Sequence, residues 1–350
     1  FNGDGQTDVA TVNETPDTVS VLLNNGDGNL ASAVHYAVQS NPRALSADDF
    51  NEDGKLDLAV ANYSSDSFSV LLGNGDGTCV SAAHTVIGGS ARPHSIASGD
   101  FNEDGHADLA VANHNTHTVN TYLGNGDGTF GTALGHAVAN NPISVTAGDL
   151  NGDGFEDVVV VPDFGNVAQV LQGAGDGTFA AAVSYGLGGN TSNREVRLLD
   201  VDEDGWLDLV VARGNELLVR YNLGEWAFIG GASYAGGSTV RSAELGDYDG
   251  DGYPDLAVVA SGNSQLLILT GRGEQMLAED PVGSGIRTGA GRGNIAGSSD
   301  LDYWSFSGRA GDRLVVASET PGNVSSSGLR YVVGRPDGGR LGQFGAGSNG

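Results

Sequence analysis

Only one lysine and one cysteine occur among 350 residues, and each scarcity excludes something. With Cys79 alone, no disulfide can close within the chain and no thiolate metal site can be assembled. Basic residues are few altogether, 16 against 44 acidic ones, for a formal charge of −28. Such a surface repels duplex nucleic acid and anionic membranes, so a cationic partner is wanted instead. Long apolar runs are missing, none approaching the ~18 residues of a membrane span. No segment carries a 3.6-residue apolar stripe of useful length, which excludes helical repeats. Glycine is plentiful at 57 residues but without a Gly-X-Y period, so collagen is excluded. An apolar content of 39% is enough for packed cores, which excludes wholesale disorder. The chain opens at Phe1 inside a motif and ends in glycine-rich sequence; it reads as a fragment, and the lack of a targeting segment carries no information about location.

What is present is a repeat. The pattern D-x-[DN]-x-D-G-x-x-D occurs in full at 49–57, 100–108, 149–157, 200–208 and 247–255, with starts 51, 49, 51 and 47 residues apart. A sixth copy at 1–8 lacks its first aspartate. Each full copy runs straight into a short apolar segment, at 58–61, 109–112, 158–161, 209–212 and 256–260, which reads as a buried strand. Second strands are expected at 68–72, 119–123, 167–171, 217–221 and 266–269. Turns built on Asp-Gly pairs follow at 25–28, 74–77, 125–128 and 174–177, then third strands such as 130–138 and 179–185. A fourth strand follows breakers such as Pro42, Pro93 and Pro142. Four short strands per ~50 residues is the arithmetic of a β-propeller blade, so the expected fold is all-β, with six visible repeats over residues 1–280.

Three or four carboxylates within nine residues repel one another unless a cation neutralises them. Oxygen donors at alternate positions of an irregular loop suit Ca²⁺ better than Mg²⁺. By analogy with the EF-hand, positions 1, 3 and 5 offer side-chain oxygens, position 7 a backbone carbonyl, and glycine at position 6 the sharp turn. The candidate ligands are therefore Asn2, Asp4 and Asp8; Asp49, Asn51, Asp53 and Asp57; Asp100, Asn102, Asp104 and Asp108; Asp149, Asn151, Asp153 and Asp157; Asp200, Asp202, Asp204 and Asp208; and Asp247, Asp249, Asp251 and Asp255. Gln6, Lys55, His106, Phe155, Trp206 and Tyr253 at position 7 vary freely, as expected if only their carbonyls bind. A true EF-hand is excluded because position 12 holds valine (Val60, Val111, Val160, Val211, Val258) rather than glutamate, and strands flank the loops. Repeat-in-toxin rolls have a nine-residue period and are excluded too. Six bound Ca²⁺ would bring the formal charge from −28 to −16.

The aspartate loop, the L-A-V-A run and the L-G-N-G-D-G-T-F segment at 123–130 together resemble FG-GAP/VCBS repeats, the blades of integrin-α-like propellers and of many bacterial secreted proteins. The resemblance covers roughly residues 1–280. It implies Ca²⁺ in the loop joining the first and second strands of each blade, and the seven blades common in the family for the whole protein. Cys79 stands where other copies have Phe130 or Phe179, so a packed role is expected for it. The fifth and sixth repeats lack the Asn-Gly-Asp-Gly turn.

Composition changes near residue 280. Residues 281–350 hold seven arginines and five acids, a net of +2, and 283–297 is a glycine-rich linker. Strands are expected within 300–319 and at 329–333, resembling the start of a bacterial pre-peptidase C-terminal domain, a jelly-roll-like β-sandwich. The seven histidines form no three-ligand set; His114 and His117 read as a surface turn. No G-x-S-x-G elbow or phosphate loop is present. The expectation is a secreted or cell-surface, non-enzymatic adhesion or recognition module, with a protein or carbohydrate ligand on a cell surface or in the matrix. No nucleic acid and no direct membrane insertion are expected. The alternatives are a propeller-based polysaccharide lyase or hydrolase, and a lectin in which Phe155, Trp206 and Tyr253 stack on sugars, although packing against a neighbouring blade is the preferred expectation for these rings.

Overall fold

The computed structural model describes residues 1–246 except 28, 203, 225, 227, 229–232 and 237, then 255–262 and 265–269, and the strand segments 278–279, 287–288, 330–334 and 340–345. Contacts divide the chain into two units, Phe1–Gly273 and Glu274–Gly350.

Among the described residues of the first unit every regular element is a strand. The first repeat supplies β1 (Val9–Asn13), β2 (Thr18–Leu22) and β3 (Val34–Ala37). The second forms β4 (Pro42–Asp48), β5 (Asp57–Asn62), β6 (Ser67–Leu71) and β7 (Ala83–Val86). The third forms β8 (Pro93–Gly99), β9 (Asp108–Asn113), β10 (Thr118–Tyr122) and β11 (Leu134–Ala137). The fourth begins with β12 (Pro142–Gly148), β13 (Asp157–Pro162) and β14 (Phe164–Leu171). After β15 (Val183–Leu199), the fifth continues through β16 (Asp208–Arg213), β17 (Glu216–Arg220) and β18 (Ser233–Ala235). The sixth shows β19 (Val240–Gly246), β20 (Asp255–Ala260) and β21 (Gln265–Leu269). Sequential strands pair antiparallel within each sheet, the blades of a β-propeller.

Two expectations are corrected. The strands expected from 130 and 179, which are outermost in their blades once the innermost strand is counted first, start at Leu134 and Val183. Phe130 and Phe179 make single bridges to Gly124 and Gly173, and their rings pack edge-on against Phe50 and Phe101 with centroids 5.6 and 5.3 Å apart. The break before the fifth aspartate loop is also missing. There Asn193 stands where Pro42, Pro93 and Pro142 stand in other repeats, so its N–H is available and donates to the Asp163 carbonyl at 2.9 Å. The outer strand of the fourth blade therefore runs on into the inner strand of the fifth as one 17-residue strand, joining two blades into a seven-stranded sheet.

The L-A-V-A pattern explains how blades stack. Every residue of β5 and β9 is buried, and alternate residues face opposite neighbours. Leu58 and Val60 pack with Val19 and Val21 of the preceding repeat, while Ala59 and Ala61 pack with Ile96, Leu109 and Val111 of the following one. Ala110 and Ala112 in turn meet Val158 and Val160. Large residues thus enter the layer behind and small ones receive the layer ahead. Hydroxyls of the innermost strands add hydrogen bonds across the seams: Ser46 Oγ to Ser98 Oγ at 3.0 Å, and Ser95 and Ser144 Oγ accepting from the N–H of Val145 and Val196 at 3.2 and 3.1 Å.

In the first, second, third and fifth repeats the hairpin joining the second and third strands, counted from the innermost, ties the blade to the next. Asp17 accepts the Asn41 N–H at 2.7 Å, Asp66 the Arg92 N–H at 2.9 Å, His117 Nδ1 the Asn141 N–H at 3.0 Å and Asn215 the Thr239 N–H at 3.0 Å.

The second unit shows Ala278–Glu279 paired with Arg287–Thr288, and Arg330–Gly334 paired with Arg340–Gly345. The expected strand at 329–333 falls on the first strand of the latter pair; residues 300–319 lie outside the described residues.

Two stability measurements check this packing. Leu109→Ala should cost about 2–5 kcal/mol in urea unfolding, against almost nothing for Val86→Ala, whose residue is 75% exposed. His117→Ala should lose about 1 kcal/mol, while His117→Asp, which supplies the acceptor used at Asp17 and Asp66, should restore it.

Candidate metal centre

Each aspartate loop spans the gap between the innermost strand and its neighbour, from the pair Asp48–Asp57 in the second repeat to Leu199–Asp208 in the fifth. Glycine at position 6 has positive φ in every described loop, between 78° and 91° at Gly5, Gly54, Gly105, Gly154 and Gly205, so the chain can double back there.

The carboxylates divide into two groups. Position 1 reaches across the turn: Asp49 accepts the N–H of Asp53 and Gly54 at 3.1 and 2.7 Å, and Asp200 those of Asp204 and Gly205 at 3.1 and 3.0 Å. At position 5, Asp4, Asp53, Asp104, Asp153 and Asp204 accept the N–H of position 7 at 2.8–3.1 Å. Asn2, Asn102 and Asn151 donate an amide N–H to the position-5 carboxylate at 2.8, 2.8 and 2.9 Å; Asn51 accepts the Asp53 N–H at 3.1 Å. These groups are exposed or half-buried and lie on the solvent side of the loop.

Position 9 differs. Asp57, Asp108, Asp157 and Asp208 are fully buried, each with both oxygens occupied by backbone donors. One oxygen accepts the N–H of position 2 (Phe50, Phe101, Leu150, Val201) at 2.9–3.0 Å. The other accepts the N–H just beyond the third strand (Gly73, Gly124, Gly173, Asn222) at 2.7–2.9 Å. Asp8 does the same with the Phe1 amino group and the Asn24 N–H, both at 2.7 Å. Burial pushes Asp108 and Asp157 up to about 6 and Asp208 up to about 7; the two hydrogen bonds pull the other way, and neighbouring aspartates add to the rise.

In the fifth repeat Asp200, Asp202 and Asp208 bring one carboxylate oxygen each to within 4.8 Å of one another, a cluster that can hold a metal ion. This is the described complete loop in which position 3 is aspartate rather than asparagine. In the third, Asp100 Oδ1 is buried without a hydrogen-bond partner. An oxygen-only donor set with an orphaned carboxylate oxygen fits a hard divalent cation. Asp247, Asp249, Asp251 and Tyr253 lie outside the described residues; Asp255 opens β20 and is buried.

Position-7 side chains lie across the turn that follows the third strand. A Cβ placed on Gly224 would stand 2.8 Å from the Trp206 ring, and one on Gly152 of the preceding loop 2.6 Å from it. The His106 ring meets Glu52 of the preceding loop. Trp206 and His106 are thus engaged between repeats. The same turn seats the next blade, Gly128 N–H donating to the Phe50 carbonyl and Gly177 N–H to that of Phe101, both at 2.8 Å. Cys79 is half-buried in the core between the first two repeats, where burial raises its thiol pKa.

His114 and His117 do not converge on a metal. The His114 ring packs 6.0 Å from Tyr63 and 6.1 Å from His94, while His117 holds Asn141. Ser69 Oγ lies 2.8 Å from His84 Nδ1 and accepts from Asn62 at 2.8 Å. That trio is not a nucleophile: Ser69 is fully buried, and the asparagine touches the serine rather than the histidine it would need to orient. Asn62 opens an Asn-Tyr-Ser sequence of the kind that accepts N-linked glycans, but it is fully buried and cannot serve as an acceptor.

Four overlapping segments, 49–111, 100–160, 149–211 and 200–258, match the FG-GAP-like repeat family, more than half of the chain. The match does not reach residues 281–350, and the pre-peptidase C-terminal resemblance gains no support. No curated protein matches the sequence. Among solved structures, an Agrocybe aegerita lectin described as recognising non-reducing terminal N-acetylglucosamine is 26% identical with a TM-score of 0.48, over 66% of this chain and 63% of its own. This chain thus spans less than two thirds of that lectin. A functionally unknown protein from Desulfotomaculum acetoxidans is 11% identical, TM-score 0.49, over 76% and 86%. The periplasmic gluconolactonase of Pseudomonas aeruginosa is 16% identical, TM-score 0.47, over 75% and 84%.

The two groups of aspartates predict different mutant behaviour. Asp108→Ala strands two buried N–H groups, each costing about 1–3 kcal/mol, so its melting temperature should fall even in excess chelator. A variant that melts like wild type in chelator would show that position 9 acts only through a metal.

Proposed function

This chain belongs to the FG-GAP-like repeat family, and on that premise we propose that it is a calcium-braced propeller serving as an extracellular adhesion or recognition module. The observation that carries the calcium reading is the repeated oxygen-only loop, densest where Asp200, Asp202 and Asp208 gather within 4.8 Å. In each loop the side chains of positions 1, 3 and 5 and the carbonyl of position 7 would hold the ion, with position 9 behind them. Bound Ca²⁺ supplies the positive charge that offsets carboxylate repulsion. The chain's own part is to hold those oxygens: Asp49 and Asp200 are fixed by N–H groups of their own loops, and position 5 is turned by the N–H of position 7. Extracellular modules of this kind bind Ca²⁺ at ~10⁻⁴–10⁻³ M, matching the ion's abundance outside cells. The strong negative charge favours the same setting, since it opposes nucleic acid and anionic lipid. The ligand class is protein or carbohydrate, held by a rigid surface of repeats rather than turned over.

Thermal unfolding in saturating Ca²⁺ and in excess chelator tests this reading. A ligand present at 100 times its dissociation constant stabilises by about 2.7 kcal/mol per site, so several sites should raise the midpoint by many degrees. Asp104→Ala should remove part of that rise, and Lys55→Ala none, because Lys55 contributes its carbonyl. A midpoint indifferent to calcium would overturn the reading.

A further inference from the structure

The end of the propeller opposite the aspartate loops carries a pocket in the fifth repeat, at a position the first three repeats fill. The middle strand ends in Asn13, Asn62 and Asn113 in the first three repeats. In the first two, that asparagine donates to a third-strand hydroxyl, Ser20 or Ser69, at 2.7 and 2.8 Å. The hydroxyl in turn meets Nδ1 of an outer-strand histidine, His35 or His84, at 2.8 Å. The third repeat keeps the histidine, with His136 Nε2 3.2 Å from Thr121 Oγ1.

The fifth repeat departs from this in three ways. Arg213 replaces the asparagine. The hairpin is two residues shorter, pairing Arg213 with Glu216 where the second repeat pairs Asn62 with Ser67. Ser233 occupies the place of the histidine, opposite Leu218 as His84 is opposite Ser69. The space so left is an open pocket of about 430 Å³ lined by Thr191, Arg213, Asn215, Glu216, Ser233 and Ala235. That volume is within the ~300–1,000 Å³ of small-molecule sites.

The lining selects a chemistry. Arg213 is only 6% exposed, and its guanidinium is held by Glu216 Oε1 at 2.7 Å and the Gly188 carbonyl at 2.5 Å. Its buried Nε has no hydrogen-bond partner. Ser233 Oγ donates to Glu216, and Asn215 is oriented by the Thr239 N–H it accepts. Two hydroxyls, an amide, a carboxylate and a guanidinium offer donors and acceptors side by side, and the two charges cancel. A net anion would face Glu216 and a chain of charge −28; a net cation would face Arg213. An apolar ligand would bury these polar groups unpaired. We propose that this pocket binds a neutral sugar unit, whose vicinal hydroxyls both donate and accept; the inference rests on the recognition reading above and names its ligand class and place.

The test is a titration of the full chain in Ca²⁺ with glucose, galactose, mannose, fucose, N-acetylglucosamine and N-acetylgalactosamine, followed by saturation-transfer NMR and calorimetry. Glucuronate and inorganic phosphate serve as anionic probes. At least one neutral sugar should bind saturably. Ser233→His, which restores the residue of the first three repeats, should weaken it at least about tenfold, as should Glu216→Gln. The calcium-dependent rise in melting midpoint should be unchanged in both variants, which shows that they fold. Three outcomes overturn the pocket: no neutral sugar binds, only the anionic probes bind, or both variants bind sugar as wild type does. The last would put the sugar elsewhere and leave the recognition reading standing. Sugar binding that is lost in the variants of a calcium-indifferent protein would sustain the pocket and remove the calcium.

Discussion

The fold hangs on a buried carboxylate held between two backbone amides. At Asp57, Asp108, Asp157 and Asp208 one oxygen fixes the start of the aspartate loop and the other the chain leaving the third strand. One side chain therefore sets the first three strands of a blade in register before any metal enters. The cost is desolvation: the carboxyls are pushed up to about 6 or 7 although each accepts two N–H bonds. An alanine would leave two donors stranded, and an asparagine could accept at one oxygen only. The pivot must be aspartate for reasons of folding.

From that pivot the rest of the blade follows. The strand leaving the aspartate is buried on both faces, so its large residues turn to one neighbour and its small ones to the other. The loop before it holds the carbonyl, at Phe50 or Phe101, on which the next blade's glycine turn docks. At the far end the hairpin acceptors, Asp17, Asp66, His117 and Asn215, hold the first residues of the next inner strand. The first three blades are thus each anchored to the next at both ends and across a face. Such contacts join nearest neighbours only, the condition under which repeat arrays gain stability unit by unit.

The parts legible in the sequence were those written in local spacing: the loops, the buried run after each, and the glycine turns. What local spacing could not show was anything set by contacts some fifty residues apart. Aspartate at position 9 recurs as regularly as at positions 1 and 5, so its role in backbone capture, beside any ligation, shows only once the Gly73 and Phe50 amides are found on Asp57. Trp206 reads either as a ring for sugar stacking or as one packed against a neighbouring blade, and only the contacts with Gly152 and Gly224 decide for packing. The continuity of β15 turned on Asn193 in place of a proline, a substitution whose effect depends on the Asp163 carbonyl being there to receive its N–H. Nor could the pocket at Arg213 be read in advance. It arises from a two-residue deletion, a serine and an arginine that come together only across three strands.

The loops are also not equivalent, and the difference has a direction. In the second, third and fourth repeats position 3 is asparagine, and in the third and fourth its amide donates to the position-5 carboxylate, so part of the repulsion is relieved from within. In the fifth, Asp202 replaces that donor with a fourth carboxylate, and oxygens of Asp200, Asp202 and Asp208 gather within 4.8 Å of one another. A cation gains most where internal donors are fewest, because there it replaces repulsion rather than competing with an existing hydrogen bond. Among the described complete loops the fifth, where position 3 brings a carboxylate instead of an amide donor, therefore has the strongest draw on a cation. On the proposed calcium reading, the blade that carries the Arg213 pocket is, among the described ones, the blade that gains most from the ion.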